Sequence, residues 1–351
     1  MVGLIWLVTG CGSAQAEPTA VPVPDTPPPV PTVTPTETPL PTPTAKPTKV
    51  YLLEYADLKN NQGPAYSQAW SPDGRLLAVA GRGQVKLWDV ETRQLFQLLE
   101  EHTSYVWGLA WSPDGSHLAS ASQDGTVRLW SGPAFTASAV LETDWAFCVD
   151  WSPDGGLLAV GTFTGEVQVW DTASAALQHT WRNPTSSPII SIGWAPDGRT
   201  LASGELRGDI HLWDVATGHV GQSIQGYTEA RRDVNGLAWS PDGRLLASAH
   251  QDGQVRLWNA ANGQLVRAIA AHEGWARGVA WAPHGRLLAS SGEDKWACLW
   301  DPQTGQRVAG VQHNFLPVWS VVWSPDGEKM SSGSGAYDDS RVGVAIVWKV
   351  R

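Results

Sequence analysis

From residue 64 onward, one five-residue pattern returns seven times and leaves the chain few ways to fold. Trp-Ser/Ala-Pro-Asp/His-Gly stands at Trp70, Trp111, Trp151, Trp194, Trp239, Trp281 and Trp323. A second tryptophan follows in every unit, at Trp88, Trp130, Trp170, Trp213, Trp258, Trp300 and Trp348. Counted from the first tryptophan, successive units are 40 to 45 residues apart. Fourteen of the 21 tryptophans therefore belong to the repeat. A period of this length marks small supersecondary units that cannot bury their apolar faces alone and must stack.

Within a unit the segments are short and strand-like. In the second, Val106 to Trp111 is apolar and ends in the turn Ser112-Pro113-Asp114-Gly115, where Pro suits the second position and Gly the last. His117 to Ser122 follows, then the tight turn Gln123-Asp124-Gly125, the alternating stretch Thr126 to Trp130 and the more polar Ser138 to Glu142. Four strands in about 42 residues, with no room for a helix, is the arithmetic of one propeller blade.

The units resemble WD repeats, as in Leu87-Trp88-Asp89 and Leu212-Trp213-Asp214, and the resemblance covers about 300 residues in seven tandem copies. TolB-like propellers share the Trp-Ser-Pro-Asp-Gly turn but lack the regular Leu/Val-Trp pair that closes the third strand here. The resemblance implies an all-β fold, a seven-bladed WD-repeat β-propeller over residues 50–351. It also implies that an N-terminal strand completes the last blade, because the chain stops three residues after Trp348. Val50 to Tyr55 is expected to pair beside Arg341 to Trp348, which removes a free sheet edge.

Residues ahead of the repeats read differently. Val2 to Val8 is a short apolar run, too short to cross a bilayer, followed by Thr9-Gly10-Cys11. This resembles the bacterial lipoprotein signal: residues 1–10 would be removed and Cys11 lipidated. From Glu17 to Lys49 there are 12 Pro and 9 Thr in 33 positions, a composition that builds no core and favours an extended stalk over residues 11–49. At about 3.1 Å per residue such a stalk reaches on the order of 100 Å. The resemblance implies an extracytoplasmic protein held to a bacterial membrane only by its lipid.

Several polar groups invite a catalytic reading. His102, Ser120, Asp124 and Trp130 recur at identical spacing as His272, Ser290, Asp294 and Trp300. WD repeats carry this set as a structural hydrogen-bond tetrad, and no catalytic residue is assigned. The fifth unit keeps Ser248, Asp252 and Trp258 but has Ala230 at the histidine position. Arg82, Thr164 and Arg207 replace the aspartate in the first, third and fourth units, which are expected to be held mainly by packing. The remaining histidines are scattered, Asp338-Asp339 reads as a solvated loop, and no metal or cofactor is expected. Cys148 and Cys298 fall on an inner and a third strand of different units, a poor disposition for a disulfide.

Six tryptophans lie outside both the repeat and the signal, and four occupy equivalent places. Four residues before each repeat tryptophan stand Tyr66, Trp107, Phe147, Ile190, Asn235, Arg277 and Trp319; six before it stand Pro64, Tyr105, Trp145, Pro188, Asp233, Trp275 and Pro317. In WD propellers these positions begin the inner strands and ring the central channel on the face where partners dock. The expected contact residues are Tyr66, Tyr105, Trp107, Trp145, Phe147, Trp275, Arg277 and Trp319, the residue types most enriched in binding hot spots. Three residues before the tryptophan the side chains are small, as crowding near an axis demands. The function expected is a non-enzymatic scaffold for a protein or peptide, with a glycan or cell-wall ligand as the alternative. With a formal charge of −10 and no basic block, nucleic acid is not an expected partner.

Overall fold

The computed structural model describes residues 50–57, 64–225, 233–313, 316–336 and 343–351, without the side chains of Tyr55 and Asp57. Cys11, the signal and the stalk, together with Ala230, Asp338-Asp339 and Arg341, lie outside the described residues. Twenty-eight strands form seven four-stranded antiparallel sheets, and no helix occurs among the described residues. Each sheet is one sequence unit. Blade 2 consists of Val106–Trp111, His117–Ser122, Thr126–Ser131 and Thr136–Glu142, paired in that order.

The turn that ends each inner strand is held by its own side chains. In blade 2, Ser112 Oγ donates to Asp114 Oδ1 at 2.6 Å and accepts from the His117 amide at 2.9 Å, while Gly115 takes φ 72°, a conformation that costs glycine little. The Ser112 and Ser116 hydroxyls and the Ser116 amide pull the Asp114 carboxyl down to about 2, which keeps it an ionised acceptor below the ordinary carboxylate range.

Neighbouring blades are joined mainly by packing. Leu87, Leu99 and Val85 of blade 1 share one core with Val106, Leu109 and Trp111 of blade 2. The first tryptophan of a unit also reaches across the seam. Trp111 Nε1 donates to Ala69 O at 3.1 Å, and Trp151, Trp194, Trp239 and Trp323 do the same to the preceding inner strand. Trp70 and Trp281 are the departures, their indole nitrogens being buried with no hydrogen-bond partner. Close approach at the axis explains the small residues: a Cβ on Gly108 would come within 3.0 Å of Cys148 Cα. Cys148 and Cys298 are both buried free thiols.

The ring closes through an N-terminal strand as expected, with the pairing set two residues further along than Val50 to Tyr55. Leu52–Asp57 pairs antiparallel with Gly343–Val350, with Leu52 opposite Val350 and a bulge between Glu54 and Ala56. Blade 7 therefore has the strand order Leu52–Asp57, Gly343–Val350, Lys329–Gly335, Val318–Trp323. Blade 1 meets it through the Ala65 amide, which donates to Ser334 O at 3.2 Å, and through Ser331 Oγ, which donates to Gln68 Oε1 at 3.1 Å.

Candidate functional site

Both complete tetrads form. His102 Nδ1 lies 2.8 Å from Asp124 Oδ2, its Nε2 lies 2.7 Å from Ser120 Oγ, and Trp130 Nε1 donates to the same hydroxyl at 2.8 Å. In blade 6, His272 stands 2.9 Å from Asp294 and 2.7 Å from Ser290, which accepts from Trp300 Nε1 at 2.8 Å. Burial holds the His102 imidazole below its ordinary range, opposed by Asp124, so the ring is neutral at physiological pH. The serine hydroxyl already bonds an imidazole and an indole deep within the sheet, which is a strut rather than a nucleophile facing a cleft.

Two further networks escape the repeat spacing. In blade 7, His313 Nε2 lies 2.8 Å from Ser332 Oγ and its Nδ1 3.1 Å from Ser334 Oγ, while Trp348 Nε1 donates to Ser332 at 2.7 Å. In blade 5 the imidazole comes from within the sheet: His250 Nε2 is 2.7 Å from Ser248 Oγ, and Asp252 instead takes the Arg256 guanidinium at 2.6 and 3.1 Å. Burial pushes His313 down to about 4 and His250 down to about 3.

Blade 4 adds polar contacts to the packing expected to hold it. Trp213 Nε1 donates to Ser203 Oγ at 2.8 Å, and His211 Nε2 approaches the fully buried Glu205 Oε1 to 2.8 Å. Thr185 Oγ1 donates to the other Glu205 oxygen. Blades 1 and 3 fit the expectation: Val79 and Val160 occupy the serine position, and the buried Trp88 and Trp170 indoles have no hydrogen-bond partner.

At the opposite end of the inner strands from the Trp-Ser-Pro-Asp-Gly turns, all eight expected contact residues join one continuous arc. The Arg277 guanidinium lies 4.2 Å from the Trp275 ring centre and 4.6 Å from that of Trp319. Trp319 meets Tyr66 edge to face at 5.2 Å, and Tyr66 meets Trp107 at 4.6 Å. Tyr105 stacks on Trp107 at 5.6 Å, and Trp107 meets Phe147 at 6.2 Å. Phe163 links Phe147, at 6.2 Å, to Trp145, at 5.1 Å. The arc thus runs over blades 6, 7, 1, 2 and 3.

The two ends of this arc differ. Over blades 6, 7 and 1 the groups satisfy one another: Tyr66 is buried, Trp319 Nε1 donates to Gly335 O at 2.9 Å, and Arg277 is paired with Glu293 at 2.6 Å. Over blade 3 the apolar groups are more open, with Trp145 42% and Phe163 45% exposed, and Leu206 of the neighbouring blade 4 is 40% exposed. Phe163 and Leu206 were missed in the sequence reading. Both stand twelve residues after their repeat tryptophan, where the other units have Arg82, Gln123, Gln251, Glu293 and Gly335. Reading that position alongside the upstream ones would have found them. Of the two remaining tryptophans, Trp181 stacks on Trp213 at 5.7 Å and Trp296 lies under Arg307 at 5.1 Å, both away from the arc. No group of three or more His, Cys, Asp or Glu suited to a metal ion occurs among the described residues.

The chain matches the family model described as the IFT122 first beta-propeller over residues 64–335, well over half its length. It is also similar to telomerase protein component 1 of Rattus norvegicus, 37% identical over 84 residues, which are 22% of this chain and 3% of that protein. Target of rapamycin complex subunit wat1 of Schizosaccharomyces pombe is 39% identical over 62 residues, 17% of this chain and 20% of that protein. Periodic tryptophan protein 2 of Arabidopsis thaliana is 44% identical over 62 residues, 17% of this chain and 7% of that protein. The matches thus span no more than a fifth of any of these relatives. Seven sheets of this order, closed by a strand from the N-terminal side, together with the family match, make the chain a WD-repeat propeller that belongs to the family of the IFT122 first beta-propeller.

Proposed function

We propose that this protein is a non-enzymatic scaffold that grips a protein or peptide through the aromatic face, displayed outside a bacterial cell on the lipid carried by Cys11. The observation that carries the binding reading is the group Trp145, Phe163 and Leu206, which stand beside strand ends and are each two-fifths or more exposed. A contiguous apolar patch costs solubility unless something covers it, and aromatic anchors on a rigid frame lose little entropy on binding. Two of the similar proteins carry names of assembly components, a telomerase component and a complex subunit, which supports a protein partner.

Crosslinking pull-down from native cells tests the face, comparing the intact chain with a Trp145→Ala/Phe163→Ala double variant. Partners lost with the variant support the reading, and an unchanged set removes this surface. Glycan arrays run on the same pair decide the alternative, since an exposed Trp145 ring would also stack on a sugar. A stoichiometric metal in the purified protein would revive an enzymatic reading. For the anchor, Cys11→Ser should release the protein from the membrane fraction and abolish fatty-acid labelling; retention without label would sink it.

A further inference from the structure

One of the seven seams between blades buries different residues from the rest. Two positions before the repeat tryptophan, the inner strand packs against the preceding blade, and six units place Leu, Val or Ile there. Blade 1 instead places Gln68, buried against blade 7. On the facing surface, the second strand carries alanine at the matching register in six blades and Ser331 in blade 7. Ser331 Oγ donates to Gln68 Oε1 at 3.1 Å, but Gln68 Nε2 is buried with no hydrogen-bond partner among the described residues. The Trp70 indole, in the same seam, is a second buried donor without an acceptor. The third strand of blade 7 adds only Ala345 and Val347, where blade 1 turns Val85 and Leu87 toward blade 2. Buried donors left unpaired cost free energy, and smaller apolar groups offset less of it. The seam between blades 5 and 6 has also lost its indole bond, at Trp281, yet it keeps Val279 and Leu257.

We infer that the seam between blades 7 and 1 is a latch at which the ring opens first, while the other six seams stay closed. Sub-global opening draws on the part of a fold with the least favourable burial, and the Gln68–Ser331 pair puts that part at the closure. The aromatic arc crosses the same seam, where Trp319 meets Tyr66 at 5.2 Å. Opening parts these two rings, so the arc is continuous only while the latch is shut.

Thiol labelling of the full chain tests this, because two reporters are already in place. Cys148 is buried in the core between blades 3 and 4, and Cys298 in the core between blades 5 and 6. Ser331→Cys adds a third reporter at the latch with little change in size. In native buffer with excess iodoacetamide, followed peptide by peptide by mass spectrometry, the introduced thiol should react at least about tenfold faster than Cys148 and Cys298. Adding Gln68→Leu makes the seam apolar and should bring that rate down to theirs. A second measurement uses no introduced thiol: Gln68→Leu/Ser331→Ala should raise the urea midpoint above that of wild type. Equal rates at the three thiols overturn the inference, since they report global unfolding alone. Faster reaction at Cys148 or Cys298, a latch rate that Gln68→Leu leaves unchanged, or a midpoint unchanged or lowered in the apolar pair overturns it as well.

Discussion

Blades 2 and 3 adjoin, share one core and have the same strand order, yet they are held together differently. Blade 2 ties the loop before its inner strand to its second and third strands through His102, Asp124, Ser120 and Trp130. Blade 3 has Glu142, Thr164, Val160 and Trp170 at the matching places, with Glu142 exposed to solvent. Its Trp170 indole is buried without a hydrogen-bond partner. Blade 3 is nonetheless as regular as blade 2, which locates the main stabilisation in the stacking of apolar faces between neighbours. The tetrad adds order to a sheet that packing has already built, at the risk that a broken network costs more than none.

The sharpest way to break the comparison is to remove the side chain at the histidine position of each blade. His102→Ala leaves the Asp124 carboxylate and Ser120 buried without their imidazole, and should cost about 3 kcal/mol. Glu142→Ala removes an exposed side chain and should change stability by no more than about 0.5 kcal/mol. Chemical denaturation of the two variants against wild type measures both. Equal losses would mean that the tetrad histidine contributes no more than an exposed side chain.

This difference was partly legible in the sequence. The blades with His, Ser, Asp and Trp at the repeat spacing form the expected tetrads, because each residue's register is fixed by the two tryptophans. His313 was not legible, since it stands ten residues before its repeat tryptophan rather than nine and meets Ser334 instead of an aspartate. His250 was hidden for a different reason: it replaces a loop histidine from inside the second strand, a substitution visible only when side-chain directions are known. The aromatic arc was legible as a set of equivalent positions, but its division into a self-satisfied end and an open end was not. That division depends on which rings reach one another, and Phe163 and Leu206 enter from a turn the upstream pattern does not cover.

Acid and base sharpen the contrast, with blades 3 and 7 responding in opposite directions. His313 has a folded value of about 4, below its ordinary one, so the unfolded chain takes up a proton that the folded blade refuses. Stability should fall as pH drops from about 6.5 toward 4, by up to about 3 kcal/mol, and His313→Gln should flatten that limb. Asp150 of blade 3 is the reverse case. Its carboxylate accepts the Trp151 amide at 3.0 Å and, across the seam, the Trp194 amide at 2.8 Å, yet burial pushes it up to about 6. With a folded value above the unfolded one, its contribution is complete below about pH 4 and lost as pH rises through 6. Asp150→Asn should therefore stabilise the protein by about 1–2 kcal/mol at pH 7 and do nothing of the kind at pH 4. Equal shifts at both pH values would show that the carboxylate is already ionised in the folded seam.

The smallest effect asks what an indole N–H contributes when the ring around it is already packed. Trp130→Phe and Trp170→Phe remove comparable apolar bulk from equivalent third-strand positions in adjoining blades, so the loss of ring volume is common to both. What remains is the nitrogen. In blade 2 the substitution strips Ser120 of a donor at 2.8 Å, leaving the hydroxyl with His102 alone. In blade 3 it removes a buried donor that had no acceptor, and with it the cost of keeping that donor from water. Trp130→Phe should therefore exceed Trp170→Phe by about 1 kcal/mol or more, although both lose packing. If the two variants melt together, the serine–indole bond carries no net stability, and the tetrad's contribution lies wholly in the histidine and aspartate that fix the loop.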